Sequence, residues 1–194
     1  GDHDFCLTPT QLVSFVLKRE PLFPPGEGYA YTDTGYILLG MVIERAGGAS
    51  YYDQLQARFL HPLQLHRTEP AVRRDLAQLA AGYLTTDNPL GLPTKTSVDG
   101  KLLFNPGNEW TGGGLVSNPQ DLVRWAKLLF EGRALEKPYV EQLVATAPLD
   151  QQHPTRYGLG VFVSRSDLGV KYGHGGWFPG YLTLLEYYPQ QRVA

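Results

Sequence analysis

Along the first third of the chain, apolar residues recur at helical spacing between clear start and stop signals. Thr8, Pro9 and Gln11 supply a hydroxyl N-cap, a proline at the first helical position and a glutamine placed to close a capping box. Leu12, Phe15, Val16 and Arg19 then fall on one face, until the Phe-Pro-Pro-Gly run at 23–26 ends the segment. From Thr34 the stretch 36–43 is apolar nearly all round, which predicts a buried central helix, and Gly47 and Gly48 give it a left-handed stop. Ser50 and Asp53 bracket another helix start, with an end near His61 and Pro62.

Residues 82–116 lose this periodicity and are rich in Gly, Pro, Thr and Asn, which predicts a long loop of the kind that carries function. Asn118, Pro119 and Asp121 restart a helix whose inner face is Leu122, Trp125, Ala126 and Leu129, and a shorter helix is expected over 137–146. After Pro154 the period drops to two. Strands are expected over 157–163, 170–173 and 181–188, with Arg192, Val193 and Ala194 opening one more. The pattern predicts an α+β protein, with a mostly helical lobe over 1–150 that includes the loop 82–116, and antiparallel strands over 151–194. So few strands leave unpaired edges, so pairing with a further segment or another chain is expected to complete the sheet.

Charge narrows the partners. The 194 residues hold 17 Lys and Arg against 19 Asp and Glu, intermixed, so there is no basic stripe to neutralise nucleic-acid phosphates or an anionic membrane surface. No apolar run approaches membrane-spanning length, and residues 1–4 are polar and acidic where an export signal is basic and then apolar. A single cysteine, Cys6, excludes an internal disulfide framework and a multi-cysteine metal site. His61 and His66 are separated by Pro62 and do not share a helical face, so a metal site between them is not expected.

Two short motifs carry chemistry. Acyl transfer through a serine requires a nucleophile, a base for its proton, and backbone donors aimed at the developing oxyanion. Tyr31 is the candidate base, although a phenol with a pKa of about 10 needs a neighbouring cation to work as one. Asp33, two residues on, is placed to accept from an ammonium group, to hold substrate, or to cap the following helix. His174 precedes Gly175 and Gly176, whose small size lets substrate approach the backbone, and the Trp177 N–H is a candidate oxyanion donor. Gly113, within the 112–114 glycine run, is a further substrate-side position. The plainer readings are a buried aromatic with a satisfied hydroxyl at Tyr31, and a hairpin with a surface imidazole at His174. The pairing of the two motifs argues against both.

The run from Phe23 through Pro24, Pro25 and Gly26 to Tyr31, Asp33 and Gly40, the Gly-Gly-Leu-Val-Ser string at 113–117, and Tyr172-Gly173-His174-Gly175-Gly176 with Pro179-Gly180 resemble the serine β-lactamase and penicillin-binding-protein superfamily. They are most similar to its class C-like branch of esterases, D-aminopeptidases and D-Ala-D-Ala carboxypeptidases, and the similarity runs from about residue 7 to 190. The resemblance implies the β-lactamase/transpeptidase-like fold, incomplete here at both ends. It also implies acyl-enzyme hydrolysis of a small-molecule ester, amide or peptide substrate, including D-amino-acid peptides and β-lactams. In that scheme Tyr31 is base and then acid, Asp33 orients, His174 lies on the substrate or oxyanion side, and Trp177 donates its N–H. Bacterial relatives are commonly exported.

There are departures from the pattern. Asp33 stands where the family more often has Asn, and His174 where β-lactamases carry the lysine of Lys-Thr-Gly. No Ser-x-x-Lys occurs; the string Ser14 to Lys18 is one residue too long. The expectation is a serine hydrolase domain whose nucleophile lies outside this chain. The alternatives are a catalytically inactive binding or regulatory fragment of the same fold, or one piece of a two-chain assembly.

Overall fold

A computed structural model describes residues 3–76, 78–145, 147–148 and 155–194. Thr146, where the sequence ends its last helix, Pro154 and the expected boundary at 150–151 lie outside the described residues. Helices and antiparallel strands both occur, as an α+β reading requires. The chain forms two compact units, each assembled from separated stretches of sequence.

The first unit comprises Gly1–Arg58, Glu69–Val116 and Phe178–Tyr181. Helix α1 (Pro9–Ser14) begins as the sequence dictates: Thr8 Oγ1 accepts from the Gln11 amide at 3.3 Å and Gln11 Oε1 accepts from the Thr8 amide at 2.9 Å. Caps of this kind are worth about 1 kcal/mol. The helix ends before its expected face is complete. Beyond Ser14 the backbone bonds Phe15 to Leu12, Val16 to Val13 and Arg19 to Val16 close at three-residue spacing, which tightens the chain and leaves Phe15 64% exposed while Val13 is buried.

Helix α2 (Asp33–Gly47) stops at Gly48, which adopts a left-handed φ of 68° and donates its N–H to the Glu44 carbonyl. It is not buried all round as its composition predicts. Ile37 and Gly40 are buried, whereas Leu39 is 54% and Val42 60% exposed, because the apolar run is wider than the face that the neighbouring helices of this unit cover. Helix α3 (Tyr51–Leu55) is capped by Ser50 Oγ, which accepts from the Asp53 amide at 3.1 Å, and continues as a single π turn over Gln56–Leu60.

Strand β1 (Glu69–Pro70) leads to the stretch expected to be loop, which contains more order than its composition suggests. Strands β2 (Ser97–Val98) and β3 (Lys101–Leu102) form a hairpin across Asp99 and Gly100, both at positive φ, as tight hairpin turns require. A short helix α4 (Trp110–Gly113) follows, and β4 (Leu115–Val116) returns to pair with β1. Gly40 of α2 permits the close approach of α4, since a Cβ there would press on the Thr111 side chain and the Trp110 ring. Tyr181 fastens the earlier part of this stretch: its hydroxyl donates to the Ala80 carbonyl at 2.8 Å and stands 3.0 Å from Ser97 Oγ, which also accepts from the Gly82 amide.

The second unit comprises Phe59–Thr68, Ser117–Trp177 and Leu182–Ala194. Helix α5 (Pro119–Phe130) is capped by Asn118 Oδ1, which accepts from the Asp121 amide at 2.9 Å. Ala126 is fully buried and the Trp125 ring meets Phe59 edge-on, consistent with the inner face read from the sequence. Helix α6 (Lys137–Val144) buries Val140. The sheet then runs β5 (Ala147–Pro148), β6 (Arg156–Tyr157), β7 (Phe162–Ser166), β8 (Gly169–Phe178) and β9 (Tyr181–Tyr187), in that spatial order.

Three strand expectations change. The segment 157–163 is not one strand: it reverses at 158–161, where Gly160 has φ 79° and the Gly158 amide donates to the Val161 carbonyl, so Tyr157 pairs with Phe162 across a hairpin. Strand β8 extends well beyond 173 and carries the His-Gly-Gly motif within it. Residues 192–194 open no long strand. Arg192 has φ 56°, and Val193 and Tyr188 exchange backbone bonds in an isolated bridge. Glu131, just past α5, holds this end down through Arg192, and also pairs with Lys127 and Arg133.

Candidate functional site

In the first unit, Tyr31 and Asp33 sit at the entry to α2. Thr32 is the N-cap, its hydroxyl accepting from the Thr34 amide at 3.2 Å, so capping does not fall to Asp33. Asp33 is instead the first helical residue, where a carboxylate is favoured by the positive end of the helix dipole. The approach of α4 brings the glycine run alongside: a Cβ on Gly112 would lie 3.3 Å from Asp33 Cβ, while one on Gly113 would meet nothing within 4 Å. Gly113 therefore fronts open space, and nothing in the packing requires glycine there.

Tyr31 is 49% exposed. Partial burial pushes its phenol above the ordinary tyrosine value, and the Asp33 carboxylate and the Tyr36 and Tyr29 phenols push in the same direction. A base at this position needs a cation that favours the phenolate. Glu109, at the start of α4, has its carboxyl raised by burial and by the Asp33 carboxylate, so a second carboxyl group stands close to this end of α2. Sequence reasoning passed over Glu109; its position directly before Trp110 and the glycine run was the available signal.

In the second unit, β8 places His174, Gly175, Gly176 and Trp177 consecutively. Strand β7 pairs with β8 only as far as the Phe162 to Gly173 register, so the four motif residues run past the end of that partner. Trp177 is 60% exposed. The glycines differ in purpose. A Cβ on Gly173 would collide with the Leu185 carbonyl, whereas on Gly175 and Gly176 the nearest atoms would be 3.7 and 3.6 Å away, both on Thr183. Packing demands glycine at 173 but merely permits it at 175 and 176, which leaves an open backbone surface beside the imidazole.

His174 is held on two sides. Its Nε2 lies 3.0 Å from the Tyr157 hydroxyl and its Nδ1 2.5 Å from the Gly175 carbonyl oxygen, with the Phe162 ring centred 4.9 Å away. Tyr157 was not among the residues singled out from the sequence. Its alignment with His174 depends on a hairpin where the sequence pattern predicts one continuous strand. Among the described residues, no group of three or more His, Cys, Asp or Glu side chains is placed to hold a metal ion, and no helix is long and apolar enough to cross a membrane.

A family model described as Beta-lactamase matches residues 2–194. A penicillin-binding protein of Bacillus subtilis is 28% identical over 178 residues, covering 88% of this chain and 39% of that protein. Among solved structures, a D-stereospecific amidohydrolase from Streptomyces sp. superposes with a TM-score of 0.87 at 27% identity, covering 98% of this chain and 55% of that one. A D-amino acid amidase from Ochrobactrum anthropi SV3, solved with D-phenylalanine, gives 0.78 at 26% identity over 92% of this chain and 53% of that one. The chain thus spans about half the length of these solved structures, and less of the curated relative.

Proposed function

The chain belongs to the β-lactamase family, and on that premise we propose that it is the part of a serine hydrolase that supplies proton transfer and backbone recognition, while the nucleophile and its lysine come from a Ser-x-x-Lys outside these 194 residues. The reaction is hydrolysis through an acyl-enzyme. The serine oxygen attacks the carbonyl carbon and its proton passes to the Tyr31 phenolate. The Trp177 N–H donates to the oxyanion, and Tyr31 returns the proton to the leaving amine or alcohol. Water then attacks the ester with Tyr31 again as base. Neither a metal nor an organic cofactor enters the scheme.

The observation that supports this reading is the family match over residues 2–194 together with the seating of Tyr31 and Asp33 at the entry to α2. Burial, the Asp33 carboxylate and two phenols raise the Tyr31 phenol, and the lysine of Ser-x-x-Lys would supply a charge that favours its ionised form. The Asp33 carboxylate would hold the same ammonium. An amide of a D-configured amino acid is the favoured substrate class. The D-stereospecific amidohydrolase and the D-amino acid amidase support it by their names and their shape, and His174 in place of a lysine removes the fixed cation of the β-lactamases.

Treatment of the longer gene product with a fluorophosphonate or a penicillin, followed by intact mass, tests the proposal. A single adduct on the upstream serine is expected, and none on the 194-residue chain alone. An adduct within this chain would overturn the assignment of the nucleophile. No adduct on the longer product would favour the inactive ligand-binding reading.

A further inference from the structure

The sheet itself contains a relation that the reaction scheme does not use. Tyr157 is only 8% exposed, and a buried phenol requires a partner for its hydroxyl. The hairpin that presents it has little freedom. Gly160 takes a left-handed φ, the Leu159 amide donates to the Leu143 carbonyl at the end of α6, and a Cβ on Gly158 would strike that same carbonyl. The Phe162 ring, 4.7 Å from Tyr157 and 4.9 Å from His174 between centroids, packs against both. The Tyr157 hydroxyl is therefore delivered to His174 Nε2 by a fixed piece of backbone.

The chemistry at the other ring nitrogen decides the direction of the bond. A carbonyl oxygen only accepts, so Nδ1, 2.5 Å from the Gly175 carbonyl, must carry a proton. In the neutral ring Nε2 is then the acceptor and Tyr157 the donor. We propose that Tyr157 is a positioning residue that locks His174 as its Nδ1–H tautomer, with both ring nitrogens committed within the sheet. The proposal deepens the serine-hydrolase reading and rests on it for its consequence. His174 then presents its ring face and C–H edge to a substrate, offers no lone pair for a proton, and leaves acid–base work to Tyr31.

The test is 15N-detected NMR of the His174 imidazole in the intact protein, with Tyr157→Phe for comparison. Wild type should show Nδ1 in the protonated, pyrrole-type range and Nε2 in the unprotonated, pyridine-type range, displaced by hydrogen bonding. Tyr157→Phe keeps the aromatic packing and removes only the oxygen, so the Nε2 resonance should move while the backbone amide spectrum away from 157 and 174 stays in place. A wild-type ring protonated at Nε2 would overturn the proposal, and so would resonances indifferent to Tyr157→Phe. In turnover, the variant should lose roughly tenfold in kcat with KM little changed, since misplacement near reacting atoms acts on the chemical step. The NMR result stands apart from the hydrolase reading. Absence of fluorophosphonate labelling would defeat that reading without touching the tautomer, and a wrong tautomer would defeat the positioning role while labelling persists.

Discussion

Gly173 lies flat against the Leu185 carbonyl of the adjacent strand, closer than any side chain would allow. Gly173→Ala should therefore force β8 and β9 apart and destabilise the protein by about 1–3 kcal/mol. Gly175→Ala meets nothing nearer than 3.7 Å, and should leave stability within about 0.5 kcal/mol of wild type. Urea unfolding of the two variants separates a glycine kept for packing from one kept for access. In the intact protein Gly175→Ala should lower kcat/KM although its fold is unchanged.

Tyr31→Phe removes the proposed base without altering the packing of the ring. Turnover of an amide or ester by the intact protein should fall at least tenfold, which corresponds to about 1.4 kcal/mol in barrier. Steady-state kinetics with circular dichroism as a fold control would show it. Unchanged kcat in the variant would remove Tyr31 from the mechanism.

Asp121 is buried and its Oδ2 accepts from the Arg67 amide at 2.8 Å and from the Thr68 hydroxyl at 3.0 Å. Asp121→Ala strands both donors, with an expected cost of about 1–3 kcal/mol. Asp121→Asn retains an acceptor oxygen and should cost less. Denaturant midpoints of the two variants give the comparison.

Glu131 predicts a pH effect. A hydrogen bond from Arg192 chiefly holds its carboxyl below the ordinary glutamate value, with Lys127 and Arg133 adding to this against a smaller opposing effect of burial. A folded-state pKa below the unfolded one contributes stability that is complete above the unfolded value, about 4.3, and is lost as pH falls through the folded value. Thermal unfolding of wild type should therefore weaken on acidification below about pH 4.3 more steeply than that of Glu131→Gln. Equal slopes would show that the cluster makes no net contribution.

Local chemistry was the most legible part of the sequence. The Thr8 box, the Asn118 cap and the Gly48 stop are interactions between residues a few positions apart, so spacing alone locates them. The motif residues were legible too, as strings. What they touch was not. Tyr157 reaches His174 only because 158–161 reverses, and Asp33 raises the Glu109 carboxyl only because Gly40 admits α4. The apolar run in α2 misled for a related reason: composition records what could be buried, while burial depends on which neighbours arrive.

Tyr181, with its hydroxyl on Ala80 and Ser97, gives the stretch after Gly82 an unequal tolerance of change. Gly82 and Gly180 both lie against Thr96, with no room for a methyl group on either. Insertions there would unseat the clasp. Farther out, Asn88 closes its own small circuit by bonding to the Thr85 and Leu92 carbonyls and to the Leu92 amide. New sequence grafted beside Asp87, at the tip of that circuit, would extend outward from a base that stays shut, which makes this the place where the protein could be tagged or its reach enlarged without disturbing what lies beneath.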